Sequence, residues 1–252
     1  MKSLKKFFLT IAMTMIVGTS AFAASGFEFL LNVPFGLGVD FPNAEAKKMD
    51  MGASLGVDVG VDAQIGYMFQ VVDRFGISLL AELGYSWDWY ALDANKSSDL
   101  TTFNLGYSIS MSYHNFKLGL LPKFNIGFGG RHGLAIGIGG GVKIPISGKL
   151  KLTYRSWDEI NNTLDETDII NGKLDRKDIS DMFSPSVIGY MKVTFDYYLF
   201  FTDNIAMNFG LYLGGDFGMK TKEGILLQSS GKIGGDAFNF GLQLGFRFGP
   251  KA

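Results

Sequence analysis

From Ala53 to Phe69 the chain alternates without a break. Its odd positions, Ala53, Leu55, Val57, Val59, Val61, Ala63, Ile65, Tyr67 and Phe69, are all apolar. Its even positions from Ser54 to Gly66, including Asp58, Asp62 and Gln64, are polar or glycine. Strict alternation is the mark of a β-strand with one apolar and one polar face. Strands of soluble sandwiches usually alternate over about 4 to 8 residues. This stretch runs for 17 residues, long enough to cross a bilayer at a tilt.

The same period predicts further staves. Phe27–Leu37 carries Phe27, Phe29, Leu31, Val33, Phe35 and Leu37 on one face, with Pro34 inside it as a pairing defect. Phe75–Trp89 places Ile77, Leu79, Leu83, Tyr85 and Trp87 outward against Glu82, Ser86 and Asp88. Phe103–Tyr113 places Leu105, Tyr107, Ile109 and Met111 outward, and His114–Asn115 fits a two-residue turn. Beyond it the apolar face moves to even positions, Phe116 to Phe128 and then Leu134 to Ile146. Ser147–Gly148 reads as another turn, before a weaker stave with Leu150, Leu152 and Tyr154 outward. Three more follow: Val187–Phe201, Ile205–Phe217, and a last one with Phe238, Phe240, Leu242, Leu244, Phe246 and Phe248 outward. The expectation is an all-β, antiparallel up-and-down transmembrane barrel of about ten strands, or eight if the staves at 134–146 and 150–157 are misread.

Connections after staves two, four, six and eight are tight, and those after one, three, seven and nine are long, the sidedness of bacterial barrels. The longest, 158–184, holds eight acids and three bases and no strand pattern. It reads as a solvated surface loop, part of which suits a short helix. Asn171–Gly172 lacks the ladder of acids that a calcium-binding loop needs.

The N-terminus is a secretory signal: Lys2, Lys5 and Lys6, an apolar run Phe7–Val17, and Ala21-Phe22-Ala23 as the cleavage site after Ala23. Residues 24–252 then form the barrel domain. Loss of the leader leaves 20 basic residues against 24 acidic, net −4, which argues against nucleic acid as a partner. There is no cysteine, so neither a lipid-anchored N-terminus nor a disulfide framework is expected. No later stretch is apolar enough for a transmembrane helix.

In these staves and in the last strand, FNFGLQLGFRF, the chain resembles small bacterial outer-membrane β-barrel proteins, broadly the OmpA/OmpW/Opa-like group. The resemblance is one of pattern and implies an outer-membrane location, surrounding outer-membrane lipid and handling by the barrel-assembly machinery. In that group the final residue is usually aromatic, whereas here Phe248 is followed by Gly249-Pro250-Lys251-Ala252.

The inward positions carry Asp58, Asp62, Glu82, Lys117, Lys123, Lys143, Lys192, Asp196 and Arg247. They line either a mixed-charge pore or a paired plug. A barrel this narrow can nearly be filled by side chains, and buried charges must be paired, which favours the plug. Inward glycines either leave a cavity or make room for Tyr190, Tyr198, Phe200 and Tyr212. Trp87, Trp89, Tyr90 and Trp157 fall at outer strand ends, and Tyr197 and Phe248 at inner ends, where rings suit membrane interfaces. Gly127–Gly130 and Gly137–Lys143 resemble phosphate loops only superficially, because strand alternation continues through them. The two histidines, His114 and His132, fall at opposite barrel ends, and His132 with Asp88 lacks any catalytic motif. No cofactor, metal or enzymatic activity is expected. The leading function is a surface-exposed structural barrel whose loops contact an external ligand or host surface, as in an adhesin. The second is a narrow channel or transporter of small molecules.

Overall fold

The computed structural model describes residues 25–48, 51–93, 106–158, 163–224 and 231–252. Residues 1–24, which hold the expected leader and its Ala23 cleavage site, and most of the connection after the third stave lie outside the described residues.

Ten strands are found among them: β1 (Gly26–Pro42), β2 (Ser54–Val72), β3 (Phe75–Asp93), β4 (Gly106–Leu120), β5 (Lys123–Phe128), β6 (His132–Asp158), β7 (Thr163–Asp175), β8 (Ile188–Phe200), β9 (Ile205–Lys220) and β10 (Gly234–Phe248). All pair antiparallel. Hydrogen bonds close a ring of eight, in the order β1, β2, β3, β4, β6, β8, β9, β10 and back to β1. Closure leaves the ring with no bare edge, the condition for β-structure in lipid. Two short helices, α1 (Ala44–Lys47) and α2 (Arg176–Met182), lie in the connections. Asn43 caps α1, and Asp175 and Asp178 form a capping box on α2.

β5 is the inner continuation of β4 in the wall: it too lies between β3 and β6, beyond a break at Leu121–Pro122. His114–Asn115 is therefore no turn; β4 runs straight through it, so two of the sequence staves are one wall strand. Nor do Ser147 and Gly148 turn the chain, because β6 is continuous over 27 residues. Its inner half pairs β5 and β8, and its outer half pairs β4 and β7. The hairpin β6–β7 thus stands above the ring. Of the segment 158–184, read as a loop, Thr163–Asp175 is β7 and Arg176–Met182 is α2. Pro34 interrupts the β1–β2 ladder between Asn32 and Phe35 without shifting its register, because it has no N–H to donate.

The wall has an apolar outside over most of its height. Phe27, Leu31, Val33, Phe35 and Leu37 of β1 are exposed, and so are Leu134, Ile136 and Ile138 of β6 and Phe238, Phe240, Leu242, Leu244 and Phe246 of β10. A continuous exposed apolar belt around a polar interior is the inverse of a soluble protein and fits the hydrocarbon core of a bilayer.

At the outer mouth this order inverts. Ile109 and Tyr113 of β4 and Leu150 and Leu152 of β6 point inward and are buried, and Met111 packs against them. Ser110 and Ser112 face outward. Alternation alone puts Ile109, Met111, Leu150 and Leu152 on the lipid face. They fill the mouth instead, with Ala46, Met51 and Ile233 from the α1 connection and the start of β10. Residues 176–186 close the mouth from another side. Ile179 and Phe183 pack on Tyr113, Ile188 and Met219, and Ser184 N donates to Lys220 O at 2.8 Å.

Candidate functional site in the barrel lumen

Every wall strand that alternates contributes inward side chains at every second position, so the lumen is set by strand parity. Among the described residues seven acids and five bases are buried there: Glu28, Asp40, Asp62, Glu82, Asp88, Asp196 and Asp216 with Lys117, Lys123, Lys143, Lys192 and Arg247. Asp58 is half-buried on the same face.

They are stacked in tiers. At the inner end Arg247 Nη2 pairs with Glu28 Oε2 at 2.8 Å, and Nη1 donates to Asn125 Oδ1 at 3.2 Å. Its guanidinium lies 4.6 Å from the ring centroid of Tyr198. Phe200, Leu30, Leu80 and Ala206 complete an apolar collar there. The chain after β10 folds across this end. Pro250 O accepts from Arg247 Nη2 at 3.1 Å, and Lys251 reaches both Asp203 and the Gly130 carbonyl.

One tier out, Lys123 Nζ meets Asp196 Oδ2 at 2.9 Å, and Thr194 and Asn208 donate to the same carboxylate. At mid-lumen Lys117 Nζ lies 2.9 Å from both oxygens of Asp62. Lys192 Nζ is 2.6 Å from Glu82 Oε2 and 3.4 Å from Asp62 Oδ2. Gln64 and Tyr190 also donate to Glu82, at 2.8 and 2.9 Å. These four charges come from β2, β3, β4 and β8, so the cluster spans the lumen. Removing one member would leave an opposite charge buried without a partner, which typically costs about 3–5 kcal/mol.

In the outer tier Lys143 Nζ meets Asp88 Oδ2 at 2.9 Å and Asp216 Oδ2 at 2.7 Å. The Tyr90 hydroxyl lies between the same two oxygens, 3.1 and 3.0 Å away. Asp58 Oδ1 accepts from the Tyr212 hydroxyl at 2.6 Å.

The choice between cavity and ring is settled at two glycines. A Cβ on Gly36 would overlap the Tyr212 hydroxyl and the Asp58 carboxylate, and one on Gly119 would overlap the Tyr190 hydroxyl. Those glycines are the space in which inward tyrosines reach across.

All nine inward charges named from the sequence line this lumen, Asp58 less buried than the rest. Asp62 meets lysines, whereas Arg247 takes Glu28 and Asp58 takes a tyrosine. Tyr90 is a correction: read as an interface aromatic, it points into the lumen and binds carboxylates. Trp87 and Trp89 are half-buried at outward positions of β3, Trp87 opposite His114 of β4. The side chain of Trp157 lies outside those described. At the inner end the Tyr197 hydroxyl is 2.6 Å from His132 Nδ1, and Phe248 packs on Phe29 with centroids 6.1 Å apart. His114 bonds to the Tyr85 hydroxyl on the outside of the wall, and His132 bonds to Tyr197 at the inner end, whereas Asp88 points into the outer tier of the lumen, so His132 and Asp88 do not meet. Glu28 and Asp88, on the polar faces of their staves but not counted among the lumen charges, belong with them, and Asp40 and Asp216 are members the sequence reading missed. Parity could have found those two: Asp40 continues Gly36 and Gly38, and Asp216 continues Asn208 to Gly214.

Above the lipid-facing zone, Lys151 of β6 meets Asp168 of β7 at 3.0 Å. Hydrogen bonding from Lys151 holds the Asp168 carboxyl below the usual carboxylate range. The Asp178 backbone N–H does the same for Asp175 at the start of α2.

No curated protein matches the sequence. Among solved structures, the chain is similar to Neisserial surface protein A (NspA), at 7% identity over 89% of this chain and 98% of that one, with a TM-score of 0.40. It is similar also to the outer membrane protein OprG from Pseudomonas aeruginosa, at 11% identity over 90% and 98% and a TM-score of 0.40. Ail of Yersinia pestis follows at 8% identity over 90% and 100%, TM-score 0.32. Likenesses this distant transfer no residue role. The family model described as a domain of unknown function, DUF2715, matches residues 9–184. That match spans well over half of the sequence, and the chain belongs to the DUF2715 family.

Proposed function

We propose that the protein is an integral β-barrel of the bacterial outer membrane that seals its lumen and offers the β6–β7 hairpin and α2 as an exposed contact surface, in the manner of an adhesin. The observation that carries the first part is the mid-lumen cluster of Asp62, Glu82, Lys117 and Lys192, which joins β2 and β3 to β4 and β8 across the interior. An ion following the axis would have to separate ion pairs whose side chains are buried. Two further closures lie in series with it, the apolar mouth and the Arg247 collar. The apolar belt and the secretory leader support the location, with outer-membrane lipid around the belt and β10 as the strand presented to the barrel-assembly machinery. The exposed acids Asp165, Glu166 and Asp168 on β7 support an external partner, a ligand or host surface. The role is non-enzymatic.

Planar-bilayer recording of the refolded protein tests the seal. No discrete openings are expected from the wild type, nor from Glu82→Ala with Lys192→Ala, because the mouth and the Arg247 collar remain in series. Stable wild-type openings whose conductance shifts in Lys123→Ala would overturn the seal in favour of a narrow channel.

A further inference from the structure

The outer tier differs from the others in its charge. Asp40, Asp58, Asp88 and Asp216 gather there with Lys143 as the single buried base among the described residues of that tier. Lys143 is already taken by Asp88 and Asp216. Asp58 takes Tyr212. Asp40 is 96% buried, and one oxygen of its carboxylate is reached by the Ala91 backbone. The other, Oδ2, accepts no hydrogen bond from any described residue. A buried carboxylate oxygen without a partner is costly, and it is relieved by a proton or by a cation.

Directly above lies a cavity of about 70 Å³ under the segment that follows α2. Asp40, Asp216 and the Tyr90 hydroxyl form its polar side. Ile109, Phe183, Ile188, Met219 and Ile233 form its apolar walls. Asp236 stands at its rim, and no lysine or arginine is among the residues that line it. No group of acids and histidines among the described residues has the arrangement of a metal site. Apolar walls would also leave most of a metal ion's shell unfilled.

We propose that this cavity is a binding site for a small organic cation, an alkylammonium ion whose nitrogen meets Asp40 and whose chain lies against Ile109, Phe183 and Ile233. The ammonium group meets the Asp40 carboxyl where it lines the cavity and offsets the acidic surplus. The alkyl chain replaces water on walls that cannot hydrogen-bond it. A water-sized group needs about 10–15 Å³ of such space, so the cavity holds a chain of roughly four or five carbons. The site opens toward the mouth, above the mid-lumen cluster, and does not depend on whether the barrel conducts.

The test is saturation-transfer NMR and titration calorimetry on the refolded barrel in detergent, with n-butylammonium as probe and 1-butanol as its neutral shape-match. Saturable binding of n-butylammonium is expected, with 1-butanol at least about tenfold weaker. Asp40→Asn should lower n-butylammonium affinity by about tenfold or more, and Asp236→Asn at the rim by less than about twofold. Ile233→Trp, which fills the cavity and leaves every carboxylate in place, should abolish binding. Heat-dependent gel mobility checks that each variant folds, and the probe comparison on the wild type stands even if a variant does not. Equal binding of the two probes, no saturable binding, or unchanged affinity in folded Asp40→Asn would each overturn the site. In the last two cases Asp40 is relieved by a proton alone.

Discussion

β4 and β6 lie side by side and cross from the lipid zone to the mouth, and they make the crossing by different means. On β4 the backbone never changes phase. Odd residues point inward from Ile109 to Gly119, and the residue types swap: Ile109, Met111 and Tyr113 fill the mouth, and Asn115 and Lys117 line the lumen. On β6 the residue types never change phase, and the backbone does. Asn115 pairs with Pro145 but His114 with Ser147, so Ile146 is an extra residue, a bulge that turns the strand over. Even residues therefore face lipid up to Ile146 and face inward at Leu150 and Leu152. Alternation reports that two faces exist; only the surrounding solvent decides which of them is apolar. Below the crossing the lumen is polar and the outside lies in hydrocarbon. Above it the outside meets water, and the barrel obeys the rules of a soluble protein.

Placing leucine in each zone of the lumen breaks this comparison most strongly. Asp62→Leu leaves Lys117 and Lys192 competing for Glu82 and should destabilise the barrel by about 3–5 kcal/mol in urea unfolding from detergent or lipid. Ile109→Leu, in the mouth, should cost less than about 1.5 kcal/mol. Similar losses at the two positions would deny the mouth its separate character.

The outside gives the next largest contrast. Leu118→Arg places a charge in the belt and should cost about 2–4 kcal/mol, whereas Ser112→Arg, on the same face of the same strand, should cost about 0–1 kcal/mol. The same unfolding series measures both. A large penalty at Ser112 would mean that lipid reaches higher up β4 than the serines allow.

Leu150→Ala should destabilise by about 2–5 kcal/mol because it empties a packed position in the mouth. Ile146→Ala, lipid-facing at the bulge, should cost less, because no cavity forms where acyl chains fill the space.

The smallest effect belongs to the lid. The Asp178 N–H holds the Asp175 carboxyl below its usual range, so the cap is fully present above the ordinary aspartate value and is lost as pH falls through the lower folded one. NMR of the Asp178 amide should show the cap releasing below about pH 4, with the belt strands unchanged. Asp175→Asn, which caps without titrating, should remove the transition.

Much of the wall was legible because β1, β2, β8 and β10 keep one parity and one solvent throughout. The inward lysines were legible because each lies below the crossing, where parity and solvent still agree. The pairings were not. Lys143 and Asp216 lie 73 residues apart and meet only because the ring closes. Tyr90 was placed by residue type, an aromatic near a strand end, when its even position already set it on the face of Asp88. The apparent turn at His114–Asn115 was a change of solvent misread as a change of strand. β7 carries Ile169 and Ile170 in succession and has no clean alternation; it is a strand because β6 outruns β8 and offers it an edge.

The crossing is tested most directly on β4 itself. The sequence has no cysteine, so single cysteines at each position from 109 to 118 can carry a nitroxide without background. Accessibility to oxygen in the bilayer and to a polar nickel complex in water is then read along the strand. Positions 116 and 118 should be open to oxygen, 110 and 112 to nickel, and 109, 111, 113, 115 and 117 to neither. High oxygen accessibility at 109, 111 and 113 would contradict the single continuous strand and restore a turn at His114–Asn115.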